Sequence, residues 1–233
     1  CLLLSIVAAY EAGEWDRALE LASGQADAPE PARSVITAFG LYVTAARGEA
    51  AAIELLPSLR DAWSLDGVIA VACAHVAIEA YGWAGEIDSA VAMYDSAMRF
   101  IVNLWGNPTP ICLVALGAQL LGHVPADAAD PALVERVFAA GLGAEQAMER
   151  SGRQSLESTA WGHRLRAEKA TLSGVGGAEL IDLRRKALDA TTAYGDRYET
   201  ARCQWRLAQA LAAATTPDAD REARELRAAA IEQ

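Results

Sequence analysis

Apolar residues recur along this chain at spacings of three and four. In VAMYDSAMRFIV, Val91, Tyr94, Met98 and Ile101 fall on one helical stripe, and Leu133, Val137 and Phe138 repeat the idea in LVERVFAAGL. Nowhere do four or five residues alternate apolar and polar with strand-type side chains, so the pattern predicts helices and no β-structure. Proline and glycine cut the stripes at intervals: Gly24 with Pro29 and Pro31, Pro57, Pro108 with Pro110, Pro125 and Pro131, Gly174 to Gly177, Gly195 and Pro217. Thr216 before Pro217, and Asp130 before Pro131, each set an N-cap residue ahead of a proline at the first helical position. Asp218 and Asp220 then bring negative charge to the first turns, where the helix dipole favours it. The chain reads as all-α, with about a dozen helices joined by short loops.

The helices also pair. GEWDRA (Gly13 to Ala18) and GEIDSA (Gly85 to Ala90) share the form G-x-x-x-x-A of a helix–turn–helix junction, and GEAAA at Gly48 is a weaker relative. The three glycines stand 35 and 37 residues apart, close to one two-helix repeat. Tyr81, Ala90, Tyr94 and Ala97, at offsets of 9, 4 and 3, resemble the tetratricopeptide pattern of Tyr, Ala, aromatic and Ala. Small alanines let paired helices approach, and the aromatics fill space between repeats. The Trp, Leu and Gly of the pattern's first helix are Ala74, Ala77 and Ile78 here, no proline closes the repeat, and the period drifts beyond residue 105. The expectation is one domain over residues 1–233, a degenerate tetratricopeptide-like solenoid built as a superhelical stack of antiparallel helix pairs. Residues 201–230 read as its last pair, with Trp205, Leu207, Leu211 and Leu226 for the inner faces.

Composition narrows the function. Hydrophobic residues reach 53% with only 6% aromatics, so alanine and leucine dominate, which favours helix. The net charge of −11 repels phosphate backbones and anionic lipid, so no nucleic-acid binding is expected of this segment alone; Arg184, Arg185 and Lys186 form the only basic run. Cys1, Cys73, Cys112 and Cys203 are scattered without framework spacing, which suits a reducing cytoplasm. The opening CLLLSIVAAY lacks a basic leader and is too short to span a bilayer, so no membrane is expected. It reads as a buried helix whose upstream neighbour is missing, and the chain as a fragment of a longer protein.

YETARCQWRLAQALAAA followed by REARELRAAA is similar to the C-terminal helical region of large ATP-binding LuxR-type regulators of actinobacteria, and WGHRLRAEKATLSG shares their flavour. The similarity is clearest over residues 194–230. It implies an upstream ATPase, helical repeats that receive an inducer or protein partner, and a DNA-binding helix–turn–helix downstream. This chain has no G-x-x-x-x-G-K-[ST] motif, so ATP is expected only in a missing upstream domain and no cofactor in this segment.

Catalytic and metal signatures do not appear. His75, His123 and His163 lie far apart and in no ligand motif, no G-x-S-x-G elbow occurs, and SGVGGAE reads as an interhelical loop. WGNPTP, residues 105–110, reads as a break between helix pairs, and proline after Asn107 excludes glycosylation there. The resemblance to tetratricopeptide repeats implies a concave groove lined by the first helix of each pair. Placing Tyr81 in its repeat position turns His75, Glu79 and Trp83 toward it; similar counting adds Arg164 and Glu168, then Arg202, Trp205 and Gln209. Aromatics flanked by charged and amide groups suit a peptide or small polar ligand. The same residues also have a packing reading: Trp83 and Trp205 as core, His75 as a core histidine, the charges as solvated. The function expected is a non-enzymatic, ligand- or partner-sensing module of a cytoplasmic transcriptional regulator, with oligomerisation left open. The alternatives are a free-standing scaffold or adaptor that binds peptides, and a helical enzyme with a dispersed site.

Overall fold

The structure is a computed structural model that describes residues 2–24, 27–105, 110–124, 130–151 and 155–232. The break at 106–109, with Asn107 and Pro108, lies outside the described residues, as do Pro125, Cys1 and Gln233. The described residues form an all-α protein of twelve α-helices and one 3₁₀ turn, Ala62–Ser64. The helices are α1 (Leu2–Glu11), α2 (Trp15–Ser23), α3 (Ala32–Ala46), α4 (Ala51–Asp61), α5 (Gly67–Ala84) and α6 (Ile87–Trp105). They continue as α7 (Ile111–Leu121), α8 (Pro131–Ser151), α9 (Leu156–Leu172), α10 (Gly177–Tyr194), α11 (Arg197–Ala212) and α12 (Pro217–Glu232).

Each odd-numbered helix packs on the even one that follows, and each even helix leans on the next odd one. The odd helices also touch in succession from α1 through α3, α5 and α7 to α9. Four of the turns inside pairs close in the same way. Gly13, Gly48, Gly85 and Gly174 all take a positive φ between 70° and 76°. The N–H after each reaches back five residues: Glu14 to the Ala9 carbonyl, Glu49 to Thr44, Glu86 to Tyr81 and Val175 to Ala170. The expected junctions are therefore one recurring local solution, in which glycine is the residue that enters the left-handed region without a Cβ clash.

Caps act where the sequence signals them. Asp130 Oδ1 accepts from Ala132 N at 2.9 Å, and Thr216 Oγ1 accepts from Ala219 N at 3.3 Å. Pro57 is a correction: it lies inside α4 on the exposed side and breaks nothing. The helix loses a hydrogen bond there, yet Leu56 and Leu59 remain buried against the main core, and that burial outweighs the local penalty.

The core centres on α5, which touches α3, α4, α6 and α7. Ala70, Ala72, Cys73, Ala74 and Ala77 are wholly buried, and these small side chains let four helices approach one axis. By length and composition alone α5 is apolar enough to cross a membrane, but two thirds of it is buried inside the protein, as an all-round apolar core helix should be. Ala90 and Ala97 sit fully buried on α6, and Tyr94 drives its ring between this pair and the next. A Cβ built at Gly117 of α7 would lie 2.2 Å from the Tyr94 ring, so ring and glycine depend on each other. The ring's hydroxyl is buried and meets no hydrogen-bond partner among the described residues.

Two substitutions separate ring from hydroxyl. Tyr94→Ala is expected to cost on the order of 3–5 kcal/mol. Tyr94→Phe deletes only an unpaired hydroxyl and is expected to match or exceed wild-type stability, within about 1 kcal/mol. Urea unfolding of both variants measures this; a Phe variant as unstable as the Ala variant contradicts the placement of the ring.

Candidate functional site

Two of the eight expected groove residues stack one turn apart on α5, Glu79 and Trp83, with Ile78 and Gly82 beside them. Along α11, Tyr198, Arg202, Trp205, Arg206 and Gln209 recur at spacings of three and four, so they share one face. Charge brings the two faces together. The Arg202 guanidinium bonds Glu79, and Tyr198 Oη donates to Glu79 Oε2 at 3.1 Å. Between them opens a cavity of about 610 Å³. Its walls include Gln119 of α7, His123 just beyond it, and Ile231 near the end of α12.

Of the expected set, Glu79, Trp83, Arg202, Trp205 and Gln209 line this groove. Trp83 is 64% exposed and Trp205 45%, so neither is the inner-face packing residue of the alternative reading. Leu207 and Leu211 are buried in the last pair, with Leu226 against them. The other three residues are placed differently. His75 is buried, with its ring 4.4 Å from that of Tyr42. Burial holds its imidazole down at about 4 against the pull of Glu79, so it is neutral. Arg164 and Glu168 are also buried and fully engaged by the protein's own charges. The reason is that another helix packs over each, α3 against His75, α11 against Arg164 and α10 against Glu168, which counting along separate helices does not register.

Behind the groove runs a buried chain of alternating charge. Glu79 of α5 pairs with Arg202, Arg202 with Glu199 at 3.4 Å, and Glu199 with Arg164 of α9. Arg164 Nη2 donates to Gln119 Oε1 at 2.6 Å, and its guanidinium lies 4.8 Å from the centre of the Trp161 ring. Burial raises the Glu79 carboxyl, but the charge and hydrogen bond of Arg202, with Arg164 behind it, hold it below the usual carboxylate range. Burial lowers Arg164 to about 10, which leaves it charged at neutral pH. A second pair seals α9 to α10: Arg184 holds both Glu168 oxygens, at 2.6 and 2.9 Å, and also donates to Thr171 at 2.8 Å.

Arg206 differs. Its Nη2 lies 2.8 Å from His123 Nε2 and its Nη1 is 3.5 Å from Gln209 Oε1, and among the described residues no carboxylate pairs with it. A guanidinium only donates, so His123 Nε2 accepts and that ring is neutral. Burial, with Arg206 beside it, lowers the His123 pKa accordingly. Sequence reasoning missed Arg206, His123 and Gln119. Arg206 was findable, one turn from Arg202 on the same face; His123 and Gln119 gave no local signal.

The entry to α11 carries another buried carboxyl. Asp196 caps the helix, accepting from Glu199 N at 2.9 Å. Burial, with Glu11 nearby, pushes it up to about 7, while Arg164, Arg202 and a backbone bond at Tyr198 pull it down. Beside it Tyr194 Oη donates to Glu11, and the Tyr10 and Trp15 rings lie 6.3 and 5.6 Å from that of Tyr198, joining the first helix pair to α11. A second groove, of about 510 Å³, lies between α6 and α8; its cations Arg99 and Arg136 both pair with Asp95. Among the described residues no group of three His, Cys, Asp or Glu side chains forms a metal-binding set. Comparison of the chain with protein-family models, with curated proteins and with solved structures finds no match.

Two outcomes are expected. Arg164→Met takes the closer partner from the buried Glu199 carboxylate, leaving it only Arg202 at 3.4 Å, and should cost about 3–5 kcal/mol, whereas Arg164→Met with Glu199→Met should recover more than half of that. Denaturant unfolding of the single and double variants decides it; an equal loss in both contradicts the pairing. The second concerns pH. The folded chain holds the Asp196 proton more tightly than the unfolded chain does, from an ordinary value of 3.8 up to about 7. That contribution is full below about pH 4 and lost as pH rises to about 7. Asp196→Asn keeps a capping oxygen and cannot ionise, so relative to wild type it should gain stability across this window, on the order of 2–4 kcal/mol. Unfolding curves at about pH 4.5 and 8 measure the gap; a constant gap refutes it.

Proposed function

We propose that this chain is a non-enzymatic, ligand- or partner-sensing helical repeat module of a cytoplasmic LuxR-type transcriptional regulator. The observation that carries the reading is the groove of about 610 Å³ whose walls come from α5 and α7 on one side and α11 and α12 on the other. Its volume is in the usual range for small-molecule sites, and its polar groups are those that orient a ligand. The region that resembles the regulators, residues 194–230, covers α11 and most of α12, the half of the groove nearest the position of the DNA-binding domain in those proteins.

The mechanism is a population shift. A ligand that touches both walls binds only while α11 is docked on α5, so its differential affinity favours the docked arrangement. At a hundred times its Kd such a ligand adds about 2.7 kcal/mol to that arrangement. In a full-length regulator, an upstream ATPase and a downstream DNA-binding domain would respond to this change.

The chain alone is then expected neither to retard duplex DNA at physiological salt nor to hydrolyse ATP, because both tasks belong to the flanking domains. A thermal-shift screen of metabolites should yield compounds that raise Tm in the wild type and lose that effect in Trp205→Ala. Duplex binding at physiological salt would sink the reading. Stabilisation by peptides alone would favour the free-standing adaptor.

A further inference from the structure

The groove contains a charge that the protein leaves unanswered. Arg164, Arg184 and Arg202 each face a buried carboxylate. Half-buried Arg206, one turn beyond Arg202, has only the neutral His123 ring and the Gln209 amide, among the described residues. The chain has 31 acidic residues against 20 Lys and Arg, so an acidic partner was not scarce. Burial, with the neighbouring positive charges of Arg184 and Arg202, makes Arg206 costly to keep ionised, and the Glu168 charge, already bonded to Arg184, partly offsets this.

Beyond the Glu79–Arg202 pair, Tyr198 and the amides of Gln119 and Gln209, the groove is apolar and open. Trp83, Trp205 and Ile231, which is 80% exposed, are three large hydrophobic side chains left in solvent along its walls. Scattered exposed hydrophobics are ordinary on protein surfaces, but three around one cavity beside an unpaired cation are a binding arrangement. The groove between α6 and α8 lacks this feature, since its cations are already paired.

We propose that the groove takes a small amphiphilic anion, with a carboxylate or phosphate on Arg206 and an apolar body along Trp205, Trp83 and Ile231. This rests on the sensing reading above. The guanidinium offers a fork of donors that suits either oxyanion, and the bound anion supplies the counter-charge that Arg206 lacks. His123 and Gln209 give up or share their bonds to Arg206 as the anion arrives. The ligand's body spans α5 and α11, so one small molecule contacts both walls.

The test is calorimetric titration of the whole chain with naphthoate, naphthyl phosphate and naphthamide, probes that share one apolar body and differ in headgroup. Naphthoate and naphthyl phosphate should both bind on the order of tenfold more tightly than naphthamide, the usual worth of a charge-assisted hydrogen bond. Arg206→Gln should erase that preference, Arg206→Lys should keep part of it, and Trp205→Ala should weaken all three probes alike. Circular dichroism and Tm of each variant show that it is folded. The anion is overturned if naphthamide binds as tightly as naphthoate, or if Arg206→Gln leaves the preference intact; the groove then stands as a neutral site. If none of the three binds at millimolar concentration, the groove fails as a small-molecule site and the ligand-sensing half of the reading above fails with it, leaving only a protein partner. A preference for phosphate over carboxylate, or the reverse, identifies the headgroup within the proposal.

Discussion

The arrangement of the helices depends on four charges that had to be neutralised inside the protein. Glu79, Arg202, Glu199 and Arg164 alternate in sign from α5 through α11 to α9. An isolated ionised group taken out of water costs several kcal/mol, and only a partner at hydrogen-bond distance offsets it. Apolar faces would tolerate small slips of α11 along its neighbours. The ion pairs do not, because moving α11 by one residue would break the Glu79–Arg202 and Glu199–Arg164 pairs and leave Glu79 and Arg164 buried without an ion-pair partner, while Glu199 and Arg202 travel together on α11. What this network contributes is position more than net stability, since a well-packed apolar core could hold the same helices as tightly.

With α11 set in place, the groove follows. The residues of α11 that point at α5 and α9 are consumed by the network, and those one step round the helix, Trp205, Arg206 and Gln209, are left over a cavity. The first helix pair reinforces the same position from the other end, where Tyr10 and Trp15 meet Tyr198 and Glu11 meets Tyr194. Contacts between residues from opposite ends of the chain thus converge on the turn into α11.

What could be read in advance divides along the range of the interactions. The junctions at Gly13, Gly48 and Gly85 were legible because a left-handed turn closing a helix is a local event with a residue requirement of its own. Tyr94 between small neighbours was legible for a similar reason, since its helical stripe and the flanking alanines lie within one element. Pro57 misled because its local penalty was outweighed by Leu56 and Leu59, whose partners are distant in sequence. The groove was half legible. Periodicity put Glu79 with Trp83, and Arg202 with Trp205 and Gln209, on shared faces, but it is silent on which faces meet. His75, Arg164 and Glu168 were on suitable faces too and ended up covered, because the helix that packs against each, α3, α11 and α10 in turn, is not registered by counting along its own helix. His123 and Gln119 had no signal at all, being brought to the cavity only by the packing of α7 on α5.

The same geometry links binding to conformation without any additional device. The groove exists only while α11 and α12 are docked, so free energy gained by a ligand there is free energy added to the docked state. The docked state is itself held by charges whose desolvation is costly. On the proposed sensing role no strained lid or hinge is needed, because the last helix pair itself completes the groove that a ligand would occupy.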